Sequence, residues 1–144
     1  MNFLILIQKI ISIEEVGKLD PFSIYALVTA KEAISQAGLD NGDVNKERVG
    51  VIIGTGVGGI QTLESQHSVL MTRGQRRVTP YFVPKFIANI AAGQIAIQHG
   101  FQGTNHTVIS ACASGTDAIG TAARTIQYGD ADVVIKIGRA SCRE

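Results

Sequence analysis

The stretch Thr107-Val-Ile-Ser-Ala-Cys112-Ala-Ser-Gly-Thr116 constrains the fold of this chain more than any other. A short apolar run ends in a cysteine, and small residues follow at once. That order predicts a buried strand over Thr107 to Ala111, turning sharply into a helix over Ala113 to Gln127 with the thiol at the helix N-terminus. Backbone N–H groups and the helix dipole at such a point favour a thiolate. A thiolate on a strand-to-helix elbow is a nucleophile suited to acyl transfer. A cysteine among alanines can equally be a small buried hydrophobe. What sets Cys112 apart is its position and its small neighbours, which let a long substrate approach.

The rest of the chain alternates in the same way. Asp20-Pro21 opens a helix, with Asp as the cap and Pro in the first turn. Phe22, Ala26, Ala30, Ala33, Ile34 and Ala37 then recur at helical spacing until Gly38. Val49-Gly-Val-Ile-Ile53 reads as a buried strand that leads into Gly54-Thr-Gly-Val-Gly-Gly59 and a helix from about Gln61 to Met71. Arg73 to Thr79 reads as a basic loop, in which Arg73, Arg76 and Arg77 suit phosphate or an acidic partner, and equally solvent or a subunit-interface salt bridge. Pro84 starts a helix that carries Phe86, Ile87, Ile90, Ala91 and Ile95 inward and stops at Gly100. Ala131 to Ile135 is a further apolar strand. Strands alternating with helices predict an α/β layer architecture with parallel pairing.

Gly54, Gly56 and Gly59 also fit the G-x-G-x-x-G pattern of a Rossmann-type dinucleotide-binding module, which is an alternative reading. That pattern wants an acidic residue about 20 residues on. The chain there reads Gly74-Gln-Arg-Arg-Val-Thr-Pro80, so a tight turn packed against neighbouring backbone is the better reading.

Composition sets outer bounds. The 144 residues make one domain or a piece of one. A net charge of +1 gives no basis for a nucleic-acid or anionic-membrane partner. Met1 to Ile13 is apolar but too short and interrupted to span a bilayer, and it lacks the marks of a signal peptide. It fits a buried strand or a misplaced start. Cys112 and Cys142 have neither metal-ligand spacing nor a disulfide framework, and they suit a reducing, cytoplasmic compartment. Ile137-Gly-Arg-Ala-Ser-Cys-Arg-Glu144 matches the conceptual translation of a sequencing adapter, so it is set aside with Cys142. On that reading the chain is a truncated piece of a longer protein.

Several motifs stand in one order: Lys18-Leu-Asp-Pro-Phe22, Arg48-Val-Gly-Val-Ile-Ile-Gly-Thr-Gly-Val-Gly-Gly59, Arg76-Arg-Val-Thr-Pro-Tyr-Phe-Val-Pro84, Ile87-Ala-Asn-Ile-Ala-Ala-Gly93, Ser110-Ala-Cys-Ala-Ser-Gly-Thr116 and Tyr128-Gly-Asp-Ala-Asp-Val133. From Lys18 to about Ile135 this order resembles the β-ketoacyl-[acyl carrier protein] synthases, nearest to the synthase II branch that elongates fatty acyl chains. The resemblance implies a thiolase-like fold, with two similar α/β halves in five alternating layers (αβαβα), and a homodimer. Residues 18–136 would supply most of the N-terminal half, while residues 1–17 do not match and residues 137–144 lie beyond it.

The resemblance also implies a reaction. The cysteine takes an acyl group from the phosphopantetheine of acyl carrier protein, and malonyl-carrier protein loses carbon dioxide. Its carbanion then attacks the acyl-enzyme in a decarboxylative Claisen condensation. No cofactor is bound by the protein itself. Cys112 falls on the family's nucleophile, and its backbone N–H would form half of an oxyanion hole. Val57 falls on a position lining the acyl pocket, and Phe82 on an aromatic that closes the partner subunit's pocket. Ala111 adjoins the nucleophile on the substrate side. A polyketide-type ketosynthase is the alternative within the same resemblance.

The chain departs from the family in what it lacks. The two histidines and the lysine of the C-terminal half are absent, and only Lys18 remains of the basic segment expected to meet an acidic carrier protein. His106 lies along the predicted strand at roughly 20 Å from Cys112. His99 reads as a capping or surface residue, and His67 lies on a helix flank. The chain alone is therefore expected not to decarboxylate malonyl groups. It is also expected to aggregate, because faces meant for a second half and a second subunit stay open. Light scattering at high concentration checks this, and monodisperse, cooperatively unfolding material would contradict it.

Overall fold

The computed structural model describes residues 11–42 and 44–138. Met1 to Ile10 and the tail from Arg139, including Cys142, lie outside the described residues. Along the chain come Ile13–Val16 (α1), Pro21–Gln36 (α2), Val49–Gly54 (β1), Ile60–Arg73 (α3), Phe82–Phe86 (α4), Ile90–His99 (α5), Asn105–Val108 (β2), Ser114–Gln127 (α6) and Val133–Ile137 (β3). The helix α1 was not read from the sequence. Its sign is the capping box in which the Ser12 hydroxyl accepts the Glu15 N–H and the Glu15 carboxylate accepts the Ser12 N–H.

The strands form one parallel sheet in the order β2-β1-β3, with Val51 opposite Asn105 and Val49 opposite Val133. The apolar run of β1 is explained by cover on both of its faces. Val49, Val51 and Ile53 pack with the buried faces of α2 and α5, including Ile24, Leu27, Ala91 and Ile95. Ile52 points the other way, against Ala118 and Ala122 of α6. The described residues therefore make three layers: α2 with α5, the sheet, and α6. The outer face of α6 is open, with Ile119 58% and Ile126 44% exposed. Among the described residues no helix is long and apolar enough to cross a membrane.

Three expectations need correction. The strand before the cysteine runs Asn105–Val108 rather than Thr107 to Ala111, and at the sheet edge it is not fully buried: Thr107 and Val108 are half-buried and Ile109 is exposed. It stops because the Ser110 N–H turns to the Ser114 hydroxyl at 2.8 Å instead of to a neighbouring strand. The helix expected from Pro84 to Gly100 is two helices. The Phe86 carbonyl accepts the Gly59 N–H at 3.0 Å, and the chain is extended at Ile87 (φ −61°, ψ 136°). The last strand runs two residues further than expected, so that Ile137 pairs with Ile53. At the other end of the sheet, Arg48 before β1 donates to Asp132 before β3 (2.6 Å) and to the Gly129 carbonyl (2.8 Å), closing the last two segments onto the first strand.

Asp20 joins two helices. It is 2% exposed, and one carboxylate oxygen accepts the Phe22 N–H at 3.1 Å as the N-cap of α2. The other accepts the Thr62 N–H (2.9 Å) and hydroxyl (2.6 Å) in the first turn of α3. A buried carboxylate is tolerable here because the positive ends of two helix dipoles meet at it. Asp20→Ala leaves three donors unmatched and is expected to cost about 2–4 kcal/mol, with Asp20→Asn intermediate, as read from denaturation midpoints.

His99 is neither a cap nor a surface residue. Its ring stacks on Phe101 with centroids 5.4 Å apart, and its Nε2 is buried without a hydrogen-bond partner. Burial lowers its pKa from the ordinary 6.5, with Lys31 and Lys46 adding to that and Asp40 opposing it. The fold then binds fewer protons than the unfolded chain. The stability this gives is complete above pH 6.5 and is lost as pH falls through the lowered value. A His99→Phe variant is expected to show a flatter dependence of stability on pH in that window, measured by denaturant titration at several pH values.

Candidate functional site

After Val108 the chain leaves the sheet, and a single 3₁₀ turn, Ala111–Ala113, leads into α6. Cys112 is the middle residue of that turn and is exposed. Ala111 has φ 50°, and among the described residues no other non-glycine residue lies in the left-handed region. Strain of this kind persists only where neighbours over-determine it. Here Ser114 does so. Its hydroxyl accepts the Ser110 N–H (2.8 Å), and its proton faces the carbonyls of Ala111 (2.8 Å) and Thr55 (3.0 Å). The Ser110 hydroxyl in turn donates to the Asp117 carboxylate in the first turn of α6.

The head of α6 is pressed against the end of β1. A Cβ on Gly54 would lie 2.3 Å from the Ser114 carbonyl oxygen, so only glycine fits. Gly54 opens the turn that carries Val57, and Val57 is 56% exposed. The Thr55 N–H donates to the Val108 carbonyl (3.1 Å), and the Gly58 N–H donates to the Thr55 hydroxyl (3.2 Å). The turn then docks on α4. Gly58 has φ 86°, and a Cβ there would lie 2.9 Å from the Phe86 carbonyl. Phe82 begins α4, half-buried, and stacks on Phe86 with centroids 5.6 Å apart.

The elbow with Ala111 and Cys112, the turn with Val57 and the helix with Phe82 are thus linked one to the next through Ser114 and Phe86. All three lie at the carboxyl ends of β1 and β2. The connection after β1 returns over the α2–α5 face, and the one after β2 returns over the α6 face. In open α/β sheets that divergence is where ligands bind. A surface groove of about 460 Å³, lined by Leu19, Leu27, Tyr81, Pro84 and Ile97, borders α4 through Pro84 but includes none of Val57, Phe82 and Cys112.

The dinucleotide reading fails on charge. A pyrophosphate would have to sit on the first N–H groups of α3. The Thr62 N–H is already held by the Asp20 carboxylate, and the Gly59 N–H by the Phe86 carbonyl. A second anion would meet Asp20 rather than free donors. None of the histidines joins the elbow. His106 faces outward on the edge strand, His67 is exposed on α3, and His99 packs on Phe101. Among the described residues no group of His, Cys, Asp and Glu could hold a metal ion.

Sequence reasoning missed Ser114, Thr55 and the second helix held by Asp20. Ser114 does not cap α6, since its hydroxyl turns back to Ser110, Ala111 and Thr55, so the preference for a serine at a helix start does not find this role. Thr55 acts through its carbonyl, and Asp20 acts across 42 positions of sequence, so neither leaves a local sign.

The Beta-ketoacyl synthase, N-terminal domain family matches residues 9–142. The 3-oxoacyl-[acyl-carrier-protein] synthase 2 of Staphylococcus aureus strain N315 is 45% identical over 132 residues, 92% of this chain and 32% of the relative. The protein of the same name from Rhizobium meliloti strain 1021 is 41% identical over 133 residues, again 32% of its length. The chain therefore spans about a third of the curated relatives it matches. Among solved structures, a ketosynthase bound to the hexaketide, in complex with its type II polyketide acyl-carrier protein, superposes with a TM-score of 0.80 at 30% identity, covering 85% of this chain and 35% of that one. A β-ketoacyl synthase from Burkholderia phymatum STM815 shares the fold at a TM-score of 0.67 and 24% identity, with 83% of this chain and 29% of that one covered. With the family matched over nearly the whole length and two synthases more than 40% identical across nine-tenths of it, this chain belongs to the β-ketoacyl synthase family, through that family's N-terminal domain.

Proposed function

We propose that the protein to which this domain belongs is a β-ketoacyl-[acyl carrier protein] synthase that elongates fatty acyl chains through Cys112. The observation that carries this reading is the exposed cysteine held on a strained elbow at the head of α6. The Cys112 sulfur attacks an acyl thioester carried on phosphopantetheine. A new carbon–sulfur bond forms, the old one breaks, and the pantetheine thiol leaves with the proton. Negative charge that develops on the carbonyl oxygen during attack is met by the Cys112 N–H. A malonyl thioester then loses carbon dioxide. Its carbanion attacks the acyl-enzyme carbonyl, and the cysteine departs as thiolate, giving a product two carbons longer.

Relatives named 3-oxoacyl-[acyl-carrier-protein] synthase 2 at 41–45% identity favour fatty acyl elongation over polyketide assembly, where the superposed ketosynthase is 30% identical. An acyl carrier protein as partner is supported by the superposed ketosynthase, which was solved with its own acyl-carrier protein. Arg76 and Arg77, exposed in the turn before α4, give a basic surface beside the Phe82 helix. Its sign suits an acidic carrier. Val57 and Phe82 line the path of the acyl chain, Phe82 from across a homodimer. A cytoplasmic location goes with this reading, since the reaction draws on carrier-bound thioesters.

Incubation of the full-length protein with an acyl-carrier thioester is expected to add one acyl group to Cys112, seen by peptide mass spectrometry. Cys112→Ser is expected to abolish both the adduct and condensation. An unmodified Cys112 in active protein would overturn the assignment. The 144-residue chain alone is expected to release no carbon dioxide from malonyl-carrier protein, since its histidines stand apart from the elbow.

A further inference from the structure

Ser114 is 2% exposed, and its side chain is spent entirely on the elbow. Both its N–H and its hydroxyl are directed at one acceptor, the Ala111 carbonyl oxygen. That carbonyl belongs to the same rigid, planar amide as the Cys112 N–H. We propose that Ser114 is a positioning residue for the oxyanion hole: by holding the Ala111 carbonyl it fixes and polarises the peptide whose other end, the Cys112 N–H, receives the developing negative charge. The inference rests on the acyl-transfer reading above.

The reasoning is geometric first. An amide plane has two handles, its C=O and its N–H, and holding one aims the other. Ala111 at φ 50° would leave that conformation without support, because a side chain disfavours it. Ser114 supplies the support from both sides of the residue, accepting the Ser110 N–H before it and donating to the carbonyl after it. Donors on a carbonyl oxygen also draw charge through the amide, which makes its N–H a stronger donor.

The third contact extends the unit. The Thr55 carbonyl, 3.0 Å from the same hydroxyl, belongs to the glycine turn that presents Val57. A single hydroxyl therefore registers the turn beneath the acyl chain against the peptide that binds the thioester oxygen. The hydroxyl has one proton for two carbonyls. The Ala111 carbonyl is the nearer and also receives the Ser114 N–H.

The test uses the full-length protein acylated from an acyl-carrier thioester. Ser114→Thr keeps the hydroxyl and is expected to retain most of the wild-type acylation rate. Ser114→Ala is expected to slow acylation on the order of tenfold, in kcat rather than in KM for the carrier, because the lost interaction strengthens only as charge develops. It is also expected to raise the infrared stretching frequency of the acyl-enzyme carbonyl, which reports a weaker oxyanion donor and which a merely structural role would not move. Should Ser114→Ala fail to fold, Ser114→Thr against the isosteric Ser114→Val gives the same comparison. Alanine or valine variants with wild-type rates and unshifted carbonyl frequency would overturn the inference while leaving acylation of wild-type Cys112 intact. A wild-type Cys112 that takes no acyl group would instead sink the functional reading on which it stands.

Discussion

Nothing larger than hydrogen fits between the end of β1 and the first turn of α6. The Gly54 Cα faces the Ser114 carbonyl so closely that a Cβ would overlap it at 2.3 Å, and a Cβ on Gly138, after β3, would lie 3.2–3.3 Å from Gly115 and Gly54. This contact sets the distance between the central strand and the helix that carries Cys112. It brings the Thr55 carbonyl within reach of the Ser114 hydroxyl, and with it the whole glycine turn. The same Ser114 hydroxyl holds the strained Ala111 beside the exposed thiol, and the glycine turn it touches docks in turn on the Phe82 helix.

The starts of α3 and α6 both lie at the carboxyl end of the sheet, and the structure treats them differently. The start of α3 is occupied by the buried Asp20 carboxylate, which also caps α2. Its dipole is spent on holding helices together, and the glycine-rich turn before it is left to present Val57 rather than to bind phosphate. The start of α6 has no side-chain cap, and Cys112 stands exposed before it. One set of forces thus closes one site and leaves the other available for chemistry. The difference is that Asp20, 42 positions before Thr62, reaches the start of α3.

Local signals carried much of the fold. The Asp20 cap with Pro21, the apolar run of β1, the Gly100 stop of α5 and the small residues around Cys112 were all legible, because each acts within a turn or two of the chain. The break between α4 and α5 was not. It arises where the Phe86 carbonyl is claimed by Gly59, a residue of another element. The early end of β2 has the same origin in the Ser114 hydroxyl. The burial of His99 against Phe101 was missed because periodicity places a residue on a face without saying what closes over it.

The sequence by itself determined the alternation of strands with the longer helices, the α/β class and the place of Cys112 between a strand and a helix, because propensity, capping and apolar spacing are properties of neighbouring residues. Tertiary structure alone decided that Ser114, Thr55 and Gly54 meet behind Cys112, that Asp20 blocks the helix end a dinucleotide would need, and that the turn with Val57 rests on the helix with Phe82. Those outcomes depend on hydrogen bonds and backbone approaches between segments far apart in the chain. Their geometry exists only once β1 and β2 are paired and both faces of the sheet are covered.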